Sequence, residues 1–156
     1  MEVFNKPSKK TTTEDIHLCV RFSVPPSEIV RAITDNNMVQ FYTRAPASIE
    51  NKVGGRYIIF DGAIMGQFLK IDNSGIEMKW RKRDWEDGVY SIATIRLDEI
   101  EHALTEVTID QTNIPKFDKF GNSGVVNSVL SGWMDQIFRQ ISNFLGFNLI
   151  LEKDFD

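Results

Sequence analysis

The sequence predicts an α+β domain: a curved antiparallel sheet wrapped around a long C-terminal helix, with two short helices after the first strand. Three observations predict it. Over residues 47–112 the hydrophobic pattern has a period of two, in short runs separated by glycine-bearing turns. Over 126–145 apolar residues recur at three- and four-residue steps. Two brief helical patterns stand between the first strand and that sheet. A long amphipathic helix must bury its stripe and a one-sided sheet its inner face, and each can cover the other.

At 156 residues, 42% hydrophobic and 26% charged, the chain has the size and composition of one ordinary domain. A domain of this length buries roughly 68–70% of its unfolded surface and needs no staples. Eleven Phe and three Trp supply large pieces for the core.

Residues 1–12, with Pro7, Ser8, Lys9 and Lys10, hold little to bury and are expected as a disordered arm. The first strand is expected over 15–23, where Ile16, Leu18, Val20 and Phe22 alternate with His17, Cys19 and Arg21. Val24-Pro25-Pro26 ends it, and Pro26 suits the first turn of a helix because its missing N–H would have no partner there. A short helix over 27–34 carries Ile29, Val30 and Ile33 on one side, and Asp35 caps a second through about Phe41. Gly54-Gly55, Asp61-Gly62 and residues 72–75 then mark turns between strands. Ile76, Met78 and Trp80 alternate with Glu77, Lys79 and Arg81; strands over 89–97 and 104–112 follow, with a turn near 99–103. Asn122 or Ser123 is expected to cap the long helix and Gly146 to end it. Gly132 inside it costs about 1 kcal/mol against Ala unless close packing needs a bare backbone. The folded unit is expected over 13–150, with 151–156 a short acidic tail. This element order describes the helix-grip architecture, and Trp80, Trp133, Phe138 and Phe144 are large enough to fill the space between sheet and helix.

Several function classes are disfavoured. A single Cys19 forms no internal disulfide and no cysteine-rich metal framework, which fits a reducing compartment. No signal peptide, spanning segment or lipidation box is read, so the cytoplasm is expected. A net charge of −4 disfavours general nucleic-acid binding. His17 and His102 stand at no metal-ligand spacing; Cys19 lies two residues from His17 on one strand face, with no orienting group in view. The glycine pairs do not spell a phosphate-binding loop. Asp61, Asp84, Glu86 and Asp87 fall in turns, where Asp bonds its own backbone. No catalytic, cofactor-binding or metal residue is nominated, and the chain is expected to be a non-enzyme and a monomer on its own.

The residues also resemble a known family. Phe41-Tyr42-Thr43-Arg44-Ala45-Pro46-Ala47 resembles the FT-x-APA segment of the activators of heat-shock protein 90 ATPase. Gly54-Gly55, Phe60-Asp61-Gly62 and Gly66-Gln67-Phe68 resemble its GG…DG…G-x-F stretch, and Met78-Lys79-Trp80-Arg81 with Trp85 and Gly88 its MKWR…W…G stretch. Ile114-Pro115, Gly132-Trp133 and Leu145-Gly146-Phe147 resemble its IP, GW and FG positions. The resemblance runs over about residues 14–150, and it is to the family's C-terminal domain. It implies a START/SRPBCC-like helix-grip fold and a co-chaperone that binds the ATPase domains of heat-shock protein 90 and promotes the ATPase cycle. In two-domain members an additional N-terminal domain binds the chaperone's middle segment. Only about 13 residues precede the first strand here, so the expectation is either a single-domain homologue or a fragment.

Lys79, Arg81, Lys82 and Arg83 form the densest basic cluster, beside Trp85. They read either as a solvated strand face or as a docking patch for an acidic chaperone surface, which Arg44 extends. On either reading Arg81 and Arg83 are surface residues whose loss leaves stability unchanged. Residues 113–120, with Phe117 and Phe120, read as an adaptable contact loop or as packing over the helix end. The alternative from another class is a small-molecule or lipid carrier, motivated by the fold alone.

Overall fold

The computed structural model describes residues 12–156; the expected N-terminal arm lies outside the described residues apart from Thr12. β1 (Thr13–Phe22) leads into α1 (Pro26–Thr34) and α2 (Asn36–Thr43). β2 (Ser48–Ile49), β3 (Arg56–Ile59), β4 (Ile64–Asp72), β5 (Gly75–Lys82), β6 (Ser91–Glu101) and β7 (Leu104–Pro115) follow. The long helix comprises α3 (Val125–Ser131), a π-helical segment (Gly132–Phe138) and α4 (Arg139–Leu145). β8 (Leu149–Leu151) and a 3-10 turn (Glu152–Asp154) close the chain. All the strands form one antiparallel sheet in the order β2-β3-β4-β5-β6-β7-β1-β8.

Local chemistry sets the boundaries. Pro26 opens α1. The Asp35 carboxylate accepts the Met38 N–H at 2.9 Å and starts α2, which ends where Arg44 turns left-handed (φ 61°). At Gly66 a Cβ would collide with the Lys79 carbonyl of the neighbouring strand, so the close crossing of β4 and β5 demands glycine there.

The long helix packs on the inner face of the sheet. Its buried positions are Val125, Val129, Trp133, Ile137, Phe138 and Ile141, mostly four residues apart. In an α-helix each four-residue step drifts roughly 40° around the axis, so a strict spacing of four leaves the sheet within three turns. A π-turn holds about 4.4 residues and cancels that drift. The π segment, which carries Trp133, therefore keeps the stripe aimed at the sheet.

Trp133 lies at the middle of this contact. Its ring stacks on Trp80 (centroids 6.2 Å apart, planes at 29°) and packs against Phe138 at 6.1 Å. Its indole N–H donates to Gln111 Oε1 at 2.8 Å. Gln111 Nε2 donates to Ser91 Oγ (2.8 Å), and Ser91 Oγ donates to the Trp80 carbonyl (2.7 Å). Gln111 and Ser91 are fully buried, and this chain joins the helix to β7, β6 and β5 with these polar groups partnered.

The structure corrects four expectations. Neither Asn122 nor Ser123 caps the long helix; Gly124, left-handed at φ 84°, takes that position without a side-chain cap. Asn122 is diverted because its backbone N–H and its side-chain amide both donate to Asp118. β6 starts at Ser91 rather than 89 and runs on to Glu101, past the expected end at 97. Residues 151–156 are not a free tail. Leu151 pairs with Val20 in β8, and the Phe155 ring lies 3.9 Å from the Arg21 guanidinium. The sequence hid β8 because three residues carry no readable period.

Gly132 needs no bare backbone, since a Cβ placed on it meets nothing within 4 Å. Gly132→Ala is therefore expected to stabilise the fold by about 0.5–1 kcal/mol in urea unfolding. Trp133→Ala, which removes the stacked indole and orphans Gln111, is expected to destabilise it by about 3–5 kcal/mol in the same measurement.

Candidate functional site

The six nominated residues, Arg44, Lys79, Arg81, Lys82, Arg83 and Trp85, do not form one surface. Met78 and Trp80 face the helix, so strand alternation sends Lys79 and Arg81 to the outer face and returns Lys82 to the inner one.

Two of the six are corrected. Trp85 is fully buried, its ring centroid 5.7 Å from that of Trp80. Arg81 is 6% exposed. Its guanidinium donates to the carbonyls of Trp85 (2.8 Å), Glu86 (2.9 Å) and Arg83 (3.3 Å). A planar fork of N–H groups suits several carbonyls converging from one loop, and here it fixes the β5–β6 connection. Both residues build the scaffold and are closed to a partner. An outward-facing Arg reads as solvated until the fold shows the loop that wraps it.

The other four separate into two regions. Lys79 lies on the outer face with its ammonium 4.6 Å from the Tyr90 ring. Lys82 reaches the first part of the long helix at Ser128, Arg83 the β3–β4 turn at Gly62, and Arg44 the last turn of the helix at Phe144. Lys82 Nζ donates to Ser128 Oγ at 2.6 Å. Burial pushes its pKa down, and the nearby Asp84 carboxylate works the other way. The Arg83 guanidinium approaches Gly62 in the β3–β4 turn, and the Arg83 backbone N–H donates to the Ala63 carbonyl at 2.9 Å. The Arg44 guanidinium lies 5.4 Å from the Phe144 ring.

A part of this rim escaped the sequence reading. Phe41, 54% exposed, meets Phe144 edge to face at 5.7 Å beside Arg44. It falls one position before the buried Tyr42 on α2, and that offset was the available signal. Two of the motifs that carry the family resemblance also meet here, since the Asp61 N–H donates to the Pro46 carbonyl at 2.9 Å. Phe60 and Asp61 both hold left-handed backbone (φ 52° and 54°), an uncommon and strained conformation for non-glycine residues. Between the turn and the helix, a cavity of about 20 Å³ is lined by Phe60, Trp80, Lys82, Gly132 and Gln136 among others. That is room for a single water, far below the roughly 300 Å³ at which ligand pockets begin.

Farther along lies the loop after β7. Asp118, only 7% exposed, accepts the N–H groups of Phe120 and Asn122 (both 2.9 Å) and the Asn122 amide (3.1 Å). Burial opposes its ionisation, but these donors outweigh it and hold the carboxyl below the usual range. The loop read as adaptable is thus tied internally.

The histidine and cysteine take no joint role. His17 Nδ1 and the Asp110 carboxylate lie 2.7 Å apart, and Arg96 pairs with the same carboxylate on the outer face. Cys19 Sγ is 3.8 Å from the Thr108 hydroxyl, and burial pushes its thiol up, away from the reactive thiolate. His102 is exposed in the β6–β7 turn. No helix among the described residues is long and apolar enough to cross a membrane.

Fold and site together define a class: a helix-grip domain whose interior is filled by its own side chains and whose exposed features run along the sheet–helix rim. The chain belongs to the family described as "Activator of Hsp90 ATPase homolog 1-like protein", whose model matches residues 23–146. It is 31% identical over 140 residues to the human "Activator of 90 kDa heat shock protein ATPase homolog 1", covering 88% of this chain and 39% of the relative. It is 29% identical over 148 residues to the Dictyostelium discoideum "Activator of 90 kDa heat shock protein ATPase homolog", covering 94% of this chain and 37% of the relative. The chain thus spans about two-fifths of the length of these curated relatives. The crystal structure of an HSP90 activator from Plasmodium falciparum superposes with a TM-score of 0.84 at 28% identity, covering 86% of this chain and 98% of that one.

Arg81→Ala is expected to destabilise the fold by about 1.5–3 kcal/mol, because it strips the loop carbonyls of a charged donor. Arg81→Lys is expected to recover little, since an ammonium cannot reach the same carbonyls as a fork. Chemical denaturation of the two variants beside Arg83→Ala, which should stay within about 0.5 kcal/mol of the parent, checks this.

Proposed function

We propose that this chain is a non-enzymatic co-chaperone that binds heat-shock protein 90 in the cytoplasm and promotes its ATPase cycle. The superposition on the Plasmodium falciparum HSP90 activator, at a TM-score of 0.84 and over nearly the whole of that chain, carries the reading. Family membership across residues 23–146 supports it. A cavity of about 20 Å³ tells against the carrier alternative, which needs room for a ligand.

The rim is the proposed contact surface, with Arg44, Lys82 and Arg83 as its cations and Phe41 and Phe144 as its apolar part. Aromatic and Arg side chains are favoured interface anchors, and the cations suit an acidic chaperone face. Lys79, on the opposite face, is outside this contact. Promotion of the cycle requires that the chain bind the closed, ATP-committed chaperone more tightly than the open one. Equal affinity for both shifts nothing, and a 100-fold preference is worth about 2.7 kcal/mol.

The chaperone's ATPase rate, measured with and without this chain, is expected to rise in its presence. Titration with the chaperone, alone and with a non-hydrolysable nucleotide, is expected to show tighter binding in the second case. No binding in either state at tens of micromolar would end the reading. Phe41→Ala combined with Arg44→Ala is expected to weaken binding at least tenfold, about 1.4 kcal/mol, while leaving the unfolding midpoint within about 2 °C.

A further inference from the structure

Phe120 is 74% exposed, more than Phe41 (54%) or Val53 (65%) among the large apolar side chains of the described residues. Isolated exposed apolar residues are common and need no explanation when they sit on mobile chain. Phe120 does not. The buried Asp118 carboxylate takes its backbone N–H directly and both Asn122 donors, and the Gly121 N–H donates to the Asp118 carbonyl at 3.0 Å. The Asp118 N–H in turn donates to the Asn122 carbonyl at 3.0 Å. The Lys119 N–H donates to the Asp84 carbonyl at 2.8 Å, which fastens the loop to the β5–β6 connection that Arg81 holds. A desolvated carboxylate and several backbone bonds thus fix the main chain that holds one aromatic ring out in water.

The loop is also placed and charged for contact. Exposed Lys116 and Lys119 precede Phe120 on the chain, the Lys119 ammonium 3.9 Å from the fully exposed Asp87 carboxylate. Beside Asp118 opens a cleft of about 130 Å³ lined by Lys82, Asp118, Ser123 and Ser128 among others. Through Lys82 and Ser128 that cleft adjoins the cavity lined by Phe60 and Gln136, so the loop continues the rim along the same side of the helix.

We infer that Phe120 is a preorganised anchor that inserts into an apolar pocket of the chaperone surface, a pocket whose lip carries carboxylates facing Lys116 and Lys119. The inference rests on the proposed function and names a contact point beyond the rim. Its physical basis is that a loop whose main chain is tied before contact loses little backbone freedom on binding. A central aromatic filling a dry pocket is the kind of contact that dominates interface energetics.

The test uses the full chain and purified chaperone with non-hydrolysable nucleotide. Phe120→Ser is expected to leave the unfolding midpoint unchanged and weaken binding at least tenfold, whereas Phe120→Leu, which keeps an apolar tip, recovers most of the affinity. Asp118→Ala, with Phe120 intact, is expected to weaken binding through a loosened loop. Lys116→Ser with Lys119→Ser is expected to slow association and flatten its salt dependence. Binding by the unmodified chain together with a Phe120→Ser affinity within twofold overturns the anchor alone; failure of the unmodified chain to bind overturns the proposed function and the anchor with it. Retention on phosphatidylserine vesicles that is lost in Phe120→Ser, while chaperone binding is unaltered, overturns the protein pocket in favour of a lipid surface.

Discussion

The bond from the Trp133 indole to Gln111, made beneath the stack on Trp80, is the contact on which the rest of the molecule depends. It places the helix on the sheet at a defined height and rotation, because the bond forms only while the indole N–H points at the Gln111 oxygen. Gln111 is fixed in turn by Ser91, and Ser91 by the main chain of β5, so one hydrogen-bonded chain crosses three strands. The apolar stripe alone would let the helix slide or turn with small loss, since hydrophobic contact has no direction. The π segment belongs to the same constraint: it is the winding that brings Trp133 over Gln111 while residues four apart stay against the sheet.

Much of the architecture could be read from pattern. The alternation Ile16, Leu18, Val20, Phe22 points to a strand with one buried face, and the long stripe ending at Gly146 points to the helix that covers it. Features that depend on partners distant in sequence could not be read this way. The Gln111 and Ser91 pairing joins residues 20 apart across two strands, and neither has a local signature. A π-turn leaves no mark in a three- and four-residue pattern, which it imitates. Asn122 has the chemistry of a cap, and only the position of Asp118 shows that its groups are engaged elsewhere.

The candidate surface was less legible, for a related reason. Local sequence shows charge density, and the basic run 79–83 is dense; strand alternation then splits it between two faces. Arg81 and Trp85 carry family resemblance, and the structure uses both to build the β5–β6 connection. The same holds for Gly66 at the crossing of β4 and β5. A motif shared with a family can thus mark where the fold is demanding rather than where a partner touches. The exposed motif residues Phe41, Arg44 and Asp61, with the half-buried Phe60 beside them, have fewer internal duties, and that contrast directs attention to the rim.

The order of strands has a consequence for how the chain is made. β1 leaves a ribosome before the other strands of its sheet, yet its neighbours there are β7 and β8, so Ile16 pairs with Gln111 and Val20 with Leu151. Until β7 has emerged, roughly 90 residues later, Ile16, Val20 and Phe22 have no sheet to join. Translation at roughly 5–20 residues per second leaves that strand uncovered for several seconds. The nascent chain therefore carries an unpaired apolar strand through most of the synthesis of this domain.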